Sequence, residues 1–180
     1  MKKLILCSVI FSIILGGCST VPEGAESKQV LSSKVDETIV LFKQKDPSIQ
    51  RFFDTSYGYA VYPEVFKGAF VVGGARGNGE VYRQGKLIGY STISAATIGF
   101  SFGGEFFREI IFFKTADDLS EFTRGEFKFS AQATAVILKS GVAAKTNYES
   151  GKAVFIIADV GAMVDASVGG QQFKYVGMDW

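Results

Sequence analysis

The chain has no histidine, and its two cysteines, Cys7 and Cys18, both fall within the first 18 of 180 residues. Without histidine, Ser–His and Cys–His nucleophilic pairs are excluded, and with them most zinc and copper sites. No G-x-S-x-G nucleophile elbow occurs. Excess charge of either sign is also missing: 19 basic residues face 18 acidic ones. No basic run exceeds a pair, so nothing in the charge pattern draws nucleic acid. Polar low-complexity sequence is absent too. Apolar residues make up 47 % of the chain and phenylalanine alone counts 17, which excludes a disordered chain and provides for one domain with a real core.

What is present begins with a leader. Met1-Lys2-Lys3 is a short positive region, and Leu4 to Leu15 is an apolar run too short to span a membrane comfortably. The run ends in Leu15-Gly16-Gly17-Cys18, which resembles the lipobox of bacterial lipoproteins. The alternative is an ordinary secretory signal with an incidental cysteine. The resemblance implies that residues 1–17 are a signal peptide. Cys18 then carries diacylglyceryl on sulfur, becomes the N-terminus and is acylated on nitrogen. Ser19 rather than aspartate follows Cys18, which for this class implies an outer-membrane anchor facing the periplasm. Loss of Lys2, Lys3 and Cys7 leaves a mature net charge of −1 and no free thiol or disulfide, so stability must come from the core.

Residues 18–27 read as a lipidated tether, and residues 28–180 as the domain. From Lys28 to Lys45, Leu31, Val35, Ile39 and Phe42 recur at helical spacing. Such a helix could lie on a membrane, but its charges balance, which favours packing on a sheet. Asp46-Pro47 suits an N-cap and first helical position, opening a short helix from Ser48 to Asp54 that buries Ile49, Phe52 and Phe53. Thr115 is placed to cap a further helix from Ala116 to Thr123, with Leu119 and Phe122 turned inward and Gly125 just beyond its end.

Residues 57–113 carry a succession of β-branched and aromatic runs punctuated by turn residues, the pattern of short antiparallel strands. Gln84-Gly85 is expected to be a hairpin turn. The run Gly73-Gly74-Ala75-Arg76-Gly77-Asn78-Gly79 is expected to be a flexible strand-to-strand turn; a phosphate loop is the alternative, but the Lys-Ser/Thr ending and a following helix are both missing. From Ile98 to Gly103, bulky and bulk-free residues alternate, so one face of the sheet could coil strongly. Later strands are expected at 126–133 and 154–158, and also at 133–144, where strand is favoured over helix. A turn is expected at 148–151, and a last hairpin around Gly169-Gly170. The fold class is therefore α+β, mainly antiparallel β, with a curved barrel-like or sandwich sheet, N-terminal helices and a short inserted helix.

Little in this pattern supports catalysis. Asp117-Asp118 could be a metal pair, but carboxylates in the first turn of a helix are the simpler account. Asp159 and Asp165 are isolated. No metal, cofactor or enzymatic activity is expected.

The chain from about residue 30 to 180 resembles the SYLF domain of bacterial lipid-binding lipoproteins. The resemblance rests on Gly58-Tyr59-Ala60-Val61-Tyr62-Pro63, Lys67-Gly68, Gly73-Gly74-Ala75, Gly77 with Gly79, and Gly99 through Gly104. Residues 110–113, 119–122 and 127–133 continue it. It implies binding of membrane phospholipid without catalysis. Candidate headgroup contacts are Lys67, Arg76, Arg83 and Lys86, which fall at or near expected connections, with Phe66 and Tyr82 touching acyl or interfacial regions. The alternatives are a structural or adhesion lipoprotein with a protein partner, and an envelope hydrolase using Asp159 with Asp165.

Overall fold

The structure is a computed structural model, and it describes residues 24–69, 72–98, 103–125, 135–160 and 171–178. Helix α1 (Ala25–Lys45) leads through a 3-10 turn (Pro47–Ile49) into α2 (Gln50–Thr55). Strands β1 (Gly58–Ala69), β2 (Val72–Arg83), β3 (Lys86–Ile98) and β4 (Gly103–Phe113) follow. Then come α3 (Ala116–Thr123), β5 (Ala135–Ile137), β6 (Lys152–Val160) and β7 (Gln171–Gly177). The strands form one sheet in the order β5-β6-β4-β1-β2-β3-β7. Every pairing is antiparallel except β5 with β6. The expected α+β class, with N-terminal helices and an inserted helix, is what the molecule shows. The sheet is strongly curled but not closed.

Local signals explain the element ends. The Asp46 carboxylate accepts from the Ser48 backbone N–H at 3.1 Å and caps the 3-10 turn, with Pro47 in the first helical position. Thr115 and Asp118 form a reciprocal capping box at the start of α3. Gln84 and Gly85 both have positive φ, 49° and 76°, as a two-residue hairpin turn of the primed type requires. Ser150 and Gly151 turn the chain before β6, also at positive φ.

Several expectations are corrected. The domain's first helix starts at Ala25, so it takes in part of the segment read as tether. Gly73 to Gly79 is not a turn; it lies inside β2, paired with β1 and β3 on both sides. The physical reason is a close approach. A Cβ at Gly79 would collide with the Val61 carbonyl and sit 2.6 Å from the Tyr62 ring, so β2 must be bare where Tyr62 of the neighbouring strand folds over it. Of the described residues in 133–144, only Ala135–Ile137 is strand, and the chain from Leu138 onward turns. The expected strand at 126–133, the residues joining β3 to β4 and the tip around Gly169-Gly170 lie outside the described residues.

Both faces of the sheet are covered. On the outer face, Leu31, Val35, Phe42, Ile49 and Phe52 of the helical segment pack on Val61, Ile110, Phe112 and Phe155. Phe52 meets Phe112 and Phe155 with ring centroids 5.4 and 5.0 Å apart. On the inner face, Tyr62, Val81, Ile93, Phe107, Ile111 and Phe113 pack with Leu119 and Phe122 of α3 and Phe173 of β7. Phe122 touches Phe113 at 4.9 Å and Phe173 at 5.3 Å, so α3 bridges β4 to β7 across the mouth of the curl.

Candidate functional site

The four cations expected to form one headgroup site do not converge. Lys67 lies within β1 and Arg76 within β2, not in connections; Arg83 and Lys86 flank the Gln84-Gly85 turn. Arg76 and Arg83 are seven residues apart on one strand, about 23 Å. The pairs therefore lie toward opposite ends of the sheet. Lys67 and Arg76 also diverge. Arg76 stands opposite Phe66 in the ladder, and Lys67 opposite the buried inner-face Ala75. Successive side chains alternate in face, so these two cations project to opposite sides of the sheet.

Arg76 enters a built environment. It lines a groove of about 600 Å³ between the first turns of α1 and the outer face of β1 and β2. Ser27, Val30, Leu31 and Lys34 form the helical wall. Pro63, Glu64, Phe66, Gly77 and Asn78 form the rest. Lys34 pairs with Glu64 at 3.4 Å, but both side chains are about half exposed, so the pair contributes little to stability. The groove's rim is apolar where water would be expected to select polar residues. Val30 is 54 % exposed, Phe66 47 % and Phe106 46 %. The Phe66 and Phe106 rings are 5.1 Å apart, joining β1 and β4 in one exposed aromatic pair. These exposed apolar side chains are clustered beside a cation rather than scattered over the surface.

The helix is held in place by buried polar contacts. Glu80 of β2 is fully buried and accepts from Ser32 Oγ of α1 and from Tyr82 Oη, both at 2.5 Å. Tyr82 therefore serves the α1 contact and stacks on Tyr59 at 4.9 Å. Burial first, then the Glu80 hydrogen bond and charge, push its phenol far above the usual range.

The sequence reading found Phe66 and Arg76 but missed Val30, Lys34 and Phe106. Val30 carried a signal: it is an apolar residue just off the buried stripe of α1. Phe106 had none of its own, because β4 is apolar over most of its length. Asp118, in the pair read as a candidate metal site, is engaged in the Thr115 capping box. Among the described residues no group of three or more histidine, cysteine, aspartate or glutamate side chains is placed to hold a metal. Asp159 is a backbone position of β6, and Asp165 and Cys18 lie outside the described residues. No described helix is long and apolar enough to cross a membrane.

No protein-family model matches the chain. It is 23 % identical over 149 residues to Beta cell expansion factor A of Aeromonas veronii, over 82 % of this chain and 57 % of that protein. The chain thus spans little more than half the length of this curated relative.

Proposed function

We propose that the protein is a SYLF-like envelope lipoprotein, anchored through Cys18, whose domain binds phospholipid at the groove between α1 and β1–β2. The observation that carries this reading is the placement of Arg76 in one groove with Val30 and Phe66, with the Phe106 ring against Phe66. A guanidinium can bind a headgroup phosphate with two parallel hydrogen bonds. The exposed aromatic pair offers apolar area to the interfacial region just below the headgroup. The first turns of α1 line the same groove, and Cys18 is six residues before Gly24, a chain reach of at most about 20 Å. An anchor at Cys18 would therefore hold this end of the sheet near the lipid surface. Of the four cations, Arg76 is the headgroup ligand in this reading; Arg83 and Lys86 lie too far along the sheet to share it.

The test is vesicle co-sedimentation of the unacylated chain from residue 19 onward, with anionic and with zwitterionic lipid. One cation near an anionic surface is worth roughly 1 kcal/mol, so Arg76→Gln should weaken anionic binding about fivefold, and added salt should mimic the loss. Phe66→Ser with Phe106→Ser should weaken binding to both lipids. Unchanged binding by both variants sinks the groove as the lipid site, and a stoichiometric protein partner recovered on the same surface would favour the adhesion reading. Separately, Cys18→Ala should leave unprocessed precursor and abolish lipid labelling in cells.

A further inference from the structure

At the opposite end of the sheet is a second concavity, distinct in shape and chemistry from the groove. It measures about 330 Å³ and lies between the β2–β3 turn, α3 and the end of β7. Its walls carry Arg83, the Ser120 and Thr123 hydroxyls of α3, and Tyr175 of β7, over an apolar floor that includes Ile88 and Leu119. No residue lining it is acidic.

Arg83 is exposed, yet it lines a concavity rather than a convex turn. It stands at the end of β2, opposite Lys86, where a convex hairpin would leave it surrounded by water. Instead α3 and β7 rise on either side of it. Among the described residues no carboxylate lies within salt-bridge distance of its guanidinium. Its field acts on Tyr175: burial raises that phenol above its usual range, and the Arg83 charge counters the rise. The Tyr175 hydroxyl is fixed by donating to the Ile88 carbonyl at 2.8 Å, which holds one wall of the cleft rigid. The volume is at the lower end of what small-molecule sites occupy, and an apolar floor with a few convergent polar groups is their usual composition.

We infer that this cleft is a second binding site, taking a small amphipathic anion: a carboxylate or phosphate monoester on a short apolar body. Arg83 holds the anion, Ser120 of α3 supplies a hydroxyl donor while the Thr123 hydroxyl donates to the Ser120 carbonyl at 3.1 Å, and Ile88 and Leu119 cover the apolar part. Two terminal oxygens match the planar fork of a guanidinium, while a neutral head of the same size would gain nothing from it. The body must be short, since the cleft has about half the volume of the groove that lipid would occupy.

The experiment is isothermal titration of the chain from residue 19 onward, which retains every described element, with octanoate, octyl phosphate, octanol and inorganic phosphate. Octanoate or octyl phosphate should bind saturably, octanol and inorganic phosphate at least tenfold more weakly. Arg83→Gln should weaken octanoate roughly tenfold or more, the loss expected for a charged hydrogen-bonded pair. Arg76→Gln should leave it unchanged, which separates this cleft from the phospholipid groove. Arg83 is exposed, so the variant should melt with the wild type. The inference is overturned by equal octanoate binding in wild type and Arg83→Gln, by octanol or inorganic phosphate binding as tightly as octanoate, or by no binding of either amphipathic anion. Preference for octanoate over octyl phosphate, or the reverse, assigns the anion's class within the inference.

Discussion

Glu109 of β4 accepts a hydrogen bond from Gln171 Nε2 of β7 at 3.3 Å, although β1, β2 and β3 lie between the two strands in the ladder. Laid flat, four ladder steps would separate them by about 19 Å. The contact therefore measures the curl: the sheet bends until its β7 edge meets β4 from the inside. Tyr62 reports the same curvature, its ring lying 5.8 Å from Phe173 and its hydroxyl donating to Ser91 at 2.8 Å. Around this seam the other carboxyl oxygen of Glu109 and the amide oxygen of Gln171 are buried without a partner.

That arrangement sets a pH dependence. Burial raises the Glu109 carboxyl from 4.5 to about 7, and the Gln171 hydrogen bond offsets only part of the rise. The folded state thus keeps a proton that the unfolded chain releases near 4.5. Stability should be greatest below that value, fall as pH rises toward 7, and level off above it, with a total loss of about 3 kcal/mol. Glu109→Gln removes the titration and supplies a donor in place of the missing proton. Urea denaturation at pH 5 and pH 8 should show a drop for the wild type and little change for the variant, which should be the more stable at pH 8. Parallel pH profiles would count against Glu109 as the cause.

Asp46 should behave in the opposite sense. Its carboxyl is buried, accepts from Ser48 in the 3-10 turn, and accepts from the Ala143 backbone N–H at 2.7 Å. Desolvation acts to raise its pKa, but these hydrogen bonds, with one from Gly141, together hold it below 3.8. Its contribution is present above the unfolded value of 3.8 and is lost as pH falls through the lower folded value. Asp46→Ala removes a cap and orphans a buried N–H, and should cost about 2–4 kcal/mol at pH 6. The difference from wild type should shrink at pH 3; a gap that stays constant would mean the carboxylate charge plays no part.

Gly79→Ala should destabilise by about 1–3 kcal/mol, the range for overpacking a filled interior. Trimming Tyr62 to leucine should not rescue it, because the Val61 backbone carbonyl is the closer obstacle. Rescue in the Gly79→Ala, Tyr62→Leu double variant, measured by denaturant midpoint, would show that the ring alone sets the limit.

Glu80→Ala should loosen α1 selectively. The substitution strips the acceptor from Ser32 and Tyr82 and costs about 2–3 kcal/mol. Hydrogen exchange should quicken across α1 more than across β4 and β6. Uniform acceleration would mean that α1 does not move separately from the sheet.

Elements marked by local chemistry were legible in the sequence. Asp46-Pro47, Thr115 with Asp118, and Gln84-Gly85 each carry their own cap or turn signal, and each sits where that signal places it. The glycines of β2 misled because what requires Gly77 and Gly79, the Glu64 and Val61 carbonyls with the Val65 and Tyr62 side chains, belongs to another strand. The faces of β1 are hidden for a related reason. A register shift between Val61 and Glu64 inserts a bulge, so Tyr62 and Val65 both point inward and a simple two-residue count runs out of phase. Lys67 and Arg76 were expected at or near connections and instead lie inside β1 and β2. Glu109 gave no sign at all, standing in the strand Phe106-Phe107-Arg108-Glu109-Ile110-Ile111 like any solvent-facing residue.

The sheet order also sets which contacts are local along the chain and which are distant. β1 is the first strand of the chain and a central strand of the sheet, and Gly58 must wait for both Arg83 and Phe113 before its ladder is complete on both sides. β1, β2 and β3 can zip as neighbouring hairpins, whereas β4 returns from a distance to the far side of β1, a slow, entropy-costly step. The seam can close only once Phe173 and Gln171 of β7 are in place. Until then one edge of β3 and the inner aromatic face stay open to water, so a chain halted before β7 would present the cell with an adhesive intermediate, not a smaller version of the domain.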